Sequence, residues 1–181
     1  MSQLRDPAPV KPVCAVFSAS RKVLEMAVMR LEDEIGQIDF ISREFIFNQT
    51  TYYREEMGWP LIKRFFAVKN LMDPSALVDL KISTNELEKK FSDHMAKRQV
   101  NIDPGYISAE RLVLATGKNN VHRIYLGRGV WADLTLIFER GKFRPLPWTY
   151  PDYASEEVRT VMNNIRTRYL DQLPAEAKAR K

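Results

Sequence analysis

The sequence predicts an α+β protein, a ferredoxin-like β-α-β-β-α-β sandwich extended by a C-terminal β-hairpin and a final helix. In the first part of the chain, short β-favouring runs alternate with segments of helical periodicity in the order that such a sandwich requires. Further along, Gly127-Arg128-Gly129 separates two strand-like runs, which is typical of a hairpin. Ser155 then precedes a last helical pattern.

The composition is that of an ordinary globular protein. The chain has 181 residues, of which 45% are apolar and 28% are charged, and this length suits one domain with a packed core. Both ends lack apolar periodicity. We therefore predict a flexible N-terminal arm over residues 1–12, a single α+β domain over 13–171 and a mobile tail over 172–181.

The cysteine content and the net charge indicate the cellular compartment and the class of partner. Cys14 is the one cysteine, so no intramolecular disulfide can form, and the sequence contains neither a signal-peptide pattern nor an apolar run of about 20 residues. We expect a cytoplasmic protein that does not enter a membrane. The formal net charge of +5 favours an anionic partner, either a small molecule or a nucleic acid.

The first strand is predicted at the apolar run 13–17. Ser18 or Ser20 then caps a helix that ends at Gly36, because apolar residues between them recur at helical spacing. The β-favouring positions change phase within 38–47, which predicts a bent strand, and 61–69 predicts the strand that follows it.

Asp73 and Pro74 are a strong start for the second helix. Apolar residues recur along this helix at steps of three and four, which places one narrow stripe on the core. The charged residues of the helix are expected largely outside that stripe: Lys81, Glu86, Glu88, Lys89 and Lys90.

Glycine and proline divide the second half of the chain into short elements. A strand at 99–102 is expected to stop at a type II turn formed by Asp103-Pro104-Gly105, and a short helix is expected near 109–116. The hairpin follows, with strands at 121–126 and 130–138. Three prolines exclude a central strand over 145–153, and Ser155 starts the last helix.

Several familiar motifs are absent from the sequence. It contains no phosphate-binding P-loop, no Rossmann glycine fingerprint and no G-x-S-x-G serine elbow. One cysteine with His94 and His122 cannot build a closed zinc site of the Cys/His type, and no metal site is predicted.

The segment NIDPGY at 101–106 is the first polar cluster. It lies where a predicted strand ends, and polar side chains at such ends commonly face a cleft. Asn101 is a candidate ligand contact, and Asp103 is a candidate acid or base. The alternative is structural, because Asn and Asp beside a Pro-Gly turn usually bond their own backbone.

The segment HRIYL at 122–126, with Lys118 before it, is the second cluster. Alternation along a strand would project Arg123 and Tyr125 together from one face, and a guanidinium with a phenol hydroxyl can hold a phosphate or carboxylate. His122 would point to the other face, as a catalytic base or as a satisfied core histidine. A solvated sheet surface would show the same pattern.

Asp133 and the segment WTYPDY at 148–153 complete the candidates. Asp133 stands in an otherwise apolar or hydroxylic run, so its carboxylate must be paired, protonated or exposed, and it is a candidate acid or base. A divalent metal held by Asp103, His122 and Asp133 is an alternative. Candidate ligand contacts on the proline-stiffened segment are Trp148, Tyr150 and Asp152, although the segment could equally be a lid over the core.

The three segments NIDPGY, HRIYL and WTYPDY together resemble an uncharacterised family of bacterial and archaeal domains of unknown function, and the resemblance covers nearly the whole chain. Members are often labelled GTP-binding proteins. This sequence offers no basis for that label, because around Lys118 it reads TGKNN, without the aspartate that a guanine-reading motif needs. The resemblance carries over no functional residues.

We predict that the three segments form one pocket for an anionic small molecule, of which nucleotides are one example. Arg123 and Lys118 would contact the anion, and Tyr125 and Trp148 would form the walls. The first alternative is an RNA-binding module, and the second is a protein-interaction domain without a ligand. Catalysis, the cofactor and the oligomeric state are left open.

Overall fold

One antiparallel sheet organises the residues that this computed structural model describes, which are 3–92 and 97–174. Within them, nine strands form the sheet: β1 (Lys11–Ser18), β2 (Ile38–Ile41), β3 (Phe45–Phe47), β4 (Leu61–Val68), β5 (Asn101–Ile107), β6 (Arg111–Thr116), β7 (Arg123–Gly127), β8 (Val130–Glu139) and β9 (Lys142–Pro145). The helices are α1 (Arg21–Ile35), α2 (Arg54–Met57), α3 (Leu77–Lys90), α4 (Pro151–Ala154) and α5 (Glu156–Gln172).

Helices cover both faces of the sheet, and β1 serves both cores. Val13 and Ala15 pack in the cluster that includes residues of α5, whereas Cys14 and Val16 pack with residues of α1 and α3. A strand buried on both faces has a continuous apolar sequence, as this one does. We call the two sides of the sheet the α5 face and the α1/α3 face.

The strands run in the order β2-β4-β1-β5-β6-β8-β7, with β3 also paired to β4 and β9 also paired to β8. This arrangement confirms the α+β class, and the predicted C-terminal hairpin and final helix are both present. The ferredoxin-like arrangement is not confirmed, because the sheet has nine strands in the described residues.

The helix ends follow the capping signals in the sequence. The Ser20 side chain accepts a hydrogen bond from the Val23 amide, and Gly36 ends α1 with a φ of 100°. Asp73 accepts from the Ser75 amide before a 3₁₀ turn that leads into α3. Ser155 caps α5 in the same manner. The predicted caps of α1 and α5 are confirmed, and the predicted cap at Asp73 begins the 3₁₀ turn that precedes α3.

The bent strand predicted at 38–47 is present as β2 and β3, which both pair with β4. Ser42 lies between them. Its amide donates to the Phe65 carbonyl, and its hydroxyl accepts from the Phe65 amide at 2.9 Å. A side chain therefore replaces the missing backbone partner at the bend.

Regular secondary structure extends past the predicted domain bounds of 13 and 171. β1 begins at Lys11, within the predicted arm, because the Lys11 ammonium is buried and bonds Asp39, the Val68 carbonyl and Gln172. Gln172 belongs to α5 and is not part of a tail, since it also bonds the Lys69 carbonyl. Residues 1–2 of the arm and 175–181 of the tail lie outside the described residues.

The predicted type II turn at 103–105 is wrong, because β5 continues through it to Ile107. The strand pairs with β1 along its whole length, from Phe17 opposite Asn101 to Lys11 opposite Ile107. Pro104 is tolerated because it precedes the first residue that pairs with β6, so its missing N–H removes no bond to that strand.

The predicted helix near 109–116 is also wrong, because this segment forms β6. Leu112 and Leu114 pack on the α5 face, while Val113 and Ala115 pack with the first turns of α3. Burial on both faces removes the alternation of apolar and polar residues by which a strand is recognised. No helix among residues 3–92 and 97–174 has the length and hydropathy needed to cross a bilayer.

Candidate functional site

A cavity of about 610 Å³ lies where β5 and β6 separate. The two strands pair only between 105–107 and 112–114, whereas β5 extends back to Asn101 and β6 extends on to Thr116. The wall includes these charged or amide side chains: Lys63, Lys81, Glu88, Arg98, Asn101, Asp103, Lys118, Arg123, Asp133 and Asp152. The gap between the two strands is therefore a cavity lined by polar and charged side chains.

Two side chains of α3 replace the missing strand beside Ile102. The Glu88 Oε1 atom accepts from the Ile102 amide at 2.6 Å, and the Lys81 ammonium donates to the Ile102 carbonyl at 3.3 Å. Both side chains were expected outside the core, but both residues are buried. A buried peptide group needs partners, and here the helix supplies them.

Glu88 belongs to a charged network at one end of the cavity. Arg98 donates to Glu88, to both carboxylate oxygens of Glu56 and to the Asn101 side chain, and Asn101 donates to Asp103 at 2.9 Å. Burial raises the pKa of the Glu88 carboxyl above its ordinary value of 4.5, although Lys81, the Ile102 amide and Arg98 oppose that shift.

Lys63 and Asp152 form a buried ion pair in the cavity wall. Their Nζ and Oδ2 atoms are 2.6 Å apart. Aromatic rings surround the ammonium, with centroids between 4.6 and 5.6 Å away: Phe17, Phe47, Phe65 and Tyr153. Such rings stabilise a desolvated cation. Asp152 is therefore engaged by Lys63.

Asp133 holds Arg123 at another part of the wall. Its Oδ2 atom accepts from the Arg123 Nε atom at 2.8 Å and lies 3.3 Å from the His122 Nε2 atom, and its Oδ1 atom accepts from the Thr135 hydroxyl. Arg123 also donates to the Tyr150 hydroxyl and to the Lys118 carbonyl. These contacts make Asp133 a positioning residue for Arg123.

The predicted opposition of His122 and Arg123 is wrong. β7 begins at Arg123, so His122 does not follow the alternation of the strand, and both side chains converge on Asp133. The His122 ring stacks on Trp148, with the ring centroids 5.1 Å apart. The Trp148 indole N–H donates to the Leu134 carbonyl.

Most of the predicted site residues meet at the one cavity. Those in its wall are Asn101, Asp103, Lys118, Arg123, Asp133, Tyr150 and Asp152. His122 and Trp148 are not among the lining residues: His122 contacts Asp133, and Trp148 stacks on His122. Tyr125 packs on Trp131, is 55% exposed and is not among the residues that line this cavity.

Lys63, Lys81, Glu88 and Arg98 were not among the sequence candidates. A signal existed for Lys63, because it shares its strand parity with Leu61, Phe65 and Ala67, all of them buried. For Lys81 and Glu88 the signal is their spacing of seven residues along the flank of the apolar stripe. Nothing in the sequence singles out Arg98.

Three charged groups of the wall remain without an oppositely charged partner. Within residues 3–92 and 97–174, no acidic oxygen lies within 4.0 Å of the Lys81 or Lys118 ammonium, and no cationic nitrogen lies that close to Asp103. Lys118 stands over the Tyr52 ring at 4.6 Å. The wall therefore offers two cations and one carboxylate to an occupant.

A metal site gains no support from this geometry. In the part of the chain that the structure describes, no group of three or more His, Cys, Asp or Glu side chains is placed to hold a metal ion. Asp133 meets His122, but its second partner is the Arg123 guanidinium. A cation at this position would face an existing positive charge.

Comparison with known proteins identifies a family. No curated protein and no solved structure matches the chain significantly. The family described as a domain of unknown function, DUF4416, matches residues 8–169, which include every strand and the cavity wall. The chain therefore belongs to the DUF4416 family of domains of unknown function.

Proposed function

We propose that the protein binds an anionic small molecule in the cavity between β5 and β6. The observation that carries the proposal is the Lys81 ammonium, which lines the cavity and has no acidic oxygen within 4.0 Å among the described residues. Lys81 is only 8% exposed. The charge of Lys81 lowers the pKa of the Glu88 carboxyl, but that carboxylate is ion-paired with Arg98. Because burying a cation without direct ion pairing is costly, an anionic occupant in contact with the ammonium would stabilise it.

The hydrogen-bonding capacity of Lys81 supports the same proposal. An ammonium has three donors, and the described contact uses one of them, to the Ile102 carbonyl at 3.3 Å. The remaining donors are available to an oxyanion. Lys118, at the same cavity, adds a second cation, whose ammonium stands over the Tyr52 ring and has no acidic oxygen within 4.0 Å in residues 3–92 and 97–174.

Contacts within the protein hold the Arg123 guanidinium in a fixed position at the cavity wall. Asp133, Tyr150 and the Lys118 carbonyl each accept from a different nitrogen of the guanidinium. Because these contacts fix the side chain before a ligand arrives, little conformational entropy remains to be lost on binding.

Aromatic residues on the cavity wall suit a ligand that also has an apolar or ring-bearing part. The Phe17, Phe47 and Tyr53 rings form one cluster, and Tyr52 packs edge-on against Tyr53. All four line the cavity. Nucleotide-like compounds combine a ring with an anion and lie within the proposed class.

We also propose that the ferredoxin-like sandwich persists as the core of the larger sheet. Its support is the order β2-β4-β1-β5, in which every neighbour is antiparallel. α1 connects β1 to β2, α3 connects β4 to β5, and the two helices contact each other. β6–β9 and α5 would then be additions that create the cavity at the edge of this core.

An interaction domain is the second candidate, and the edge strand β7 favours it. Ile124, Tyr125 and Leu126 are all exposed on this strand, with Ile124 at 71%. Consecutive exposed apolar residues on a sheet edge are typical of contact with another chain. This patch is separate from the cavity, so both functions could coexist in one protein.

A thermal-shift screen tests the proposed function. The purified protein would be heated with nucleotides, phosphorylated metabolites, carboxylates and a short single-stranded RNA. An anionic ligand at 100 times its dissociation constant should add about 2.7 kcal/mol to the free energy of unfolding. A saturable shift that Arg123→Ala removes supports the cavity. If RNA alone gives a shift, and that shift collapses with added salt, the RNA-binding alternative replaces the proposal.

A further inference from the structure

We infer that the occupant is a phosphate monoester that also carries hydroxyl or amino groups, and that Asp103 accepts hydrogen bonds from those groups. The inference rests on the proposed function and deepens it. An inorganic anion would satisfy the lysines but would leave this carboxylate facing a like charge. The cavity therefore selects a ligand with an anionic end and a hydrogen-bond-donating part.

Asp103 is the one carboxylate of the described cavity wall that no cation holds. Glu88 is held by Arg98, Asp133 by Arg123 and Asp152 by Lys63. Asp103 has a single described hydrogen bond, in which its Oδ1 atom accepts from Asn101. Its Oδ2 atom has no partner in residues 3–92 and 97–174, although the side chain lines the cavity.

The position of Asp103 on β5 explains why its carboxylate faces the cavity. The residue lies opposite Ala15 on β1, and its strand parity places it on the same side of the sheet as Asn101 and Gly105. β6 has already separated from β5 at this level. Asp103 consequently borders the gap on the side that β6 has left, while β1 lies on its other side.

The two lysines favour a phosphate over a monovalent anion. A phosphate monoester carries between about −1.5 and −2 charges at pH 7, which matches the two ammonium groups of Lys81 and Lys118. Lysine binds phosphate as a point charge. A cavity of 610 Å³ is also far larger than an inorganic anion, and it falls within the range of about 300–1,000 Å³ seen for organic ligands.

The test compares inorganic phosphate, ribose 5-phosphate and adenosine monophosphate by titration calorimetry on wild type and Asp103→Asn. The asparagine retains an acceptor for Asn101 but replaces the free carboxylate oxygen with a donor. We expect phosphate to bind the variant at least as tightly as wild type, because a like charge is removed. The ester that binds wild type more tightly should bind Asp103→Asn about 10- to 100-fold more weakly than it binds wild type.

Asp33→Asn is the matched control, because it removes one negative charge from an exposed site on α1. It should change the affinity for none of the probes by more than about twofold. If Asp103→Asn alters phosphate and ester binding in the same direction and by equal factors, or alters neither, the inference is overturned while anion binding stands. If no probe binds wild type, the cavity does not recognise phosphate and the inference is refuted as well.

Discussion

The Glu88 side chain accepts a hydrogen bond from the Ile102 amide at 2.6 Å, in the position that a neighbouring strand would otherwise occupy. Lys81, two helical turns earlier, donates to the carbonyl of the same residue. α3 therefore completes the edge of β5 after β6 has left it. These two side-chain hydrogen bonds keep the peptide group of Ile102 bonded and leave space for the cavity.

The first prediction concerns the pH dependence that Glu88 imposes on folding. Burial raises its pKa above 4.5 in the folded state, so the folded protein binds this proton more tightly than the unfolded chain. The resulting stability is fully present below the unfolded pKa and is lost as pH rises through the folded pKa. Glu88→Gln removes this dependence.

Urea unfolding of wild type and Glu88→Gln across a pH series measures the effect. The free energy of unfolding of wild type, relative to the variant, should be highest below pH 4.5 and should fall at higher pH. A difference that rises with pH would contradict the assignment, because it would mean that folding lowers the pKa of Glu88.

The second prediction concerns the last point at which β5 and β6 are paired. A Cβ atom at Gly105 would collide with the Val113 carbonyl oxygen and would lie 2.8 Å from the Leu114 Cδ2 atom. Gly105→Ala should lower the free energy of unfolding by about 1–3 kcal/mol. Gly117→Ala is the control, since a Cβ there meets nothing within 4 Å. Equal denaturation midpoints for the two variants would refute the close approach.

The third prediction concerns the buried pair of Lys63 and Asp152. Lys63→Met leaves the Asp152 carboxylate uncompensated and should cost about 3–5 kcal/mol of folding free energy. Replacing Asp152 with leucine in the same chain removes that charge, so the double variant should recover most of the loss. If the double variant loses as much unfolding free energy as the two single variants lose together, the two side chains are not directly coupled.

The sequence was most informative where one face of an element is polar or where a cap is present. α1 begins after Ser20, one of its two predicted caps, and α5 begins after the predicted Ser155, because these side chains bond free amides locally. Asp73 caps the 3₁₀ turn that leads into α3 in the same way. β6 was missed because it is buried on both faces, and such a strand has no alternating pattern.

The candidate site was predictable as a set of segments but not as a geometry. Asp103, Arg123 and Tyr150 come from three distant parts of the chain and line one cavity. Lys81 could not be assigned to it from the helical pattern, because the gap that it faces depends on where β6 leaves β5. That separation is a tertiary property, set by pairing across the sheet.

The most direct test of anion binding at Lys81 is a thermal-shift screen of phosphate esters and carboxylates on wild type, Lys81→Met and Lys89→Met. Lys89 lies on the same helix but is exposed and paired with Glu86, so its variant controls for the loss of one positive charge. At least one compound should stabilise wild type and Lys89→Met saturably and leave Lys81→Met unchanged. If every compound that stabilises wild type stabilises Lys81→Met equally, or if none stabilises wild type, the cavity is not an anion site built around Lys81.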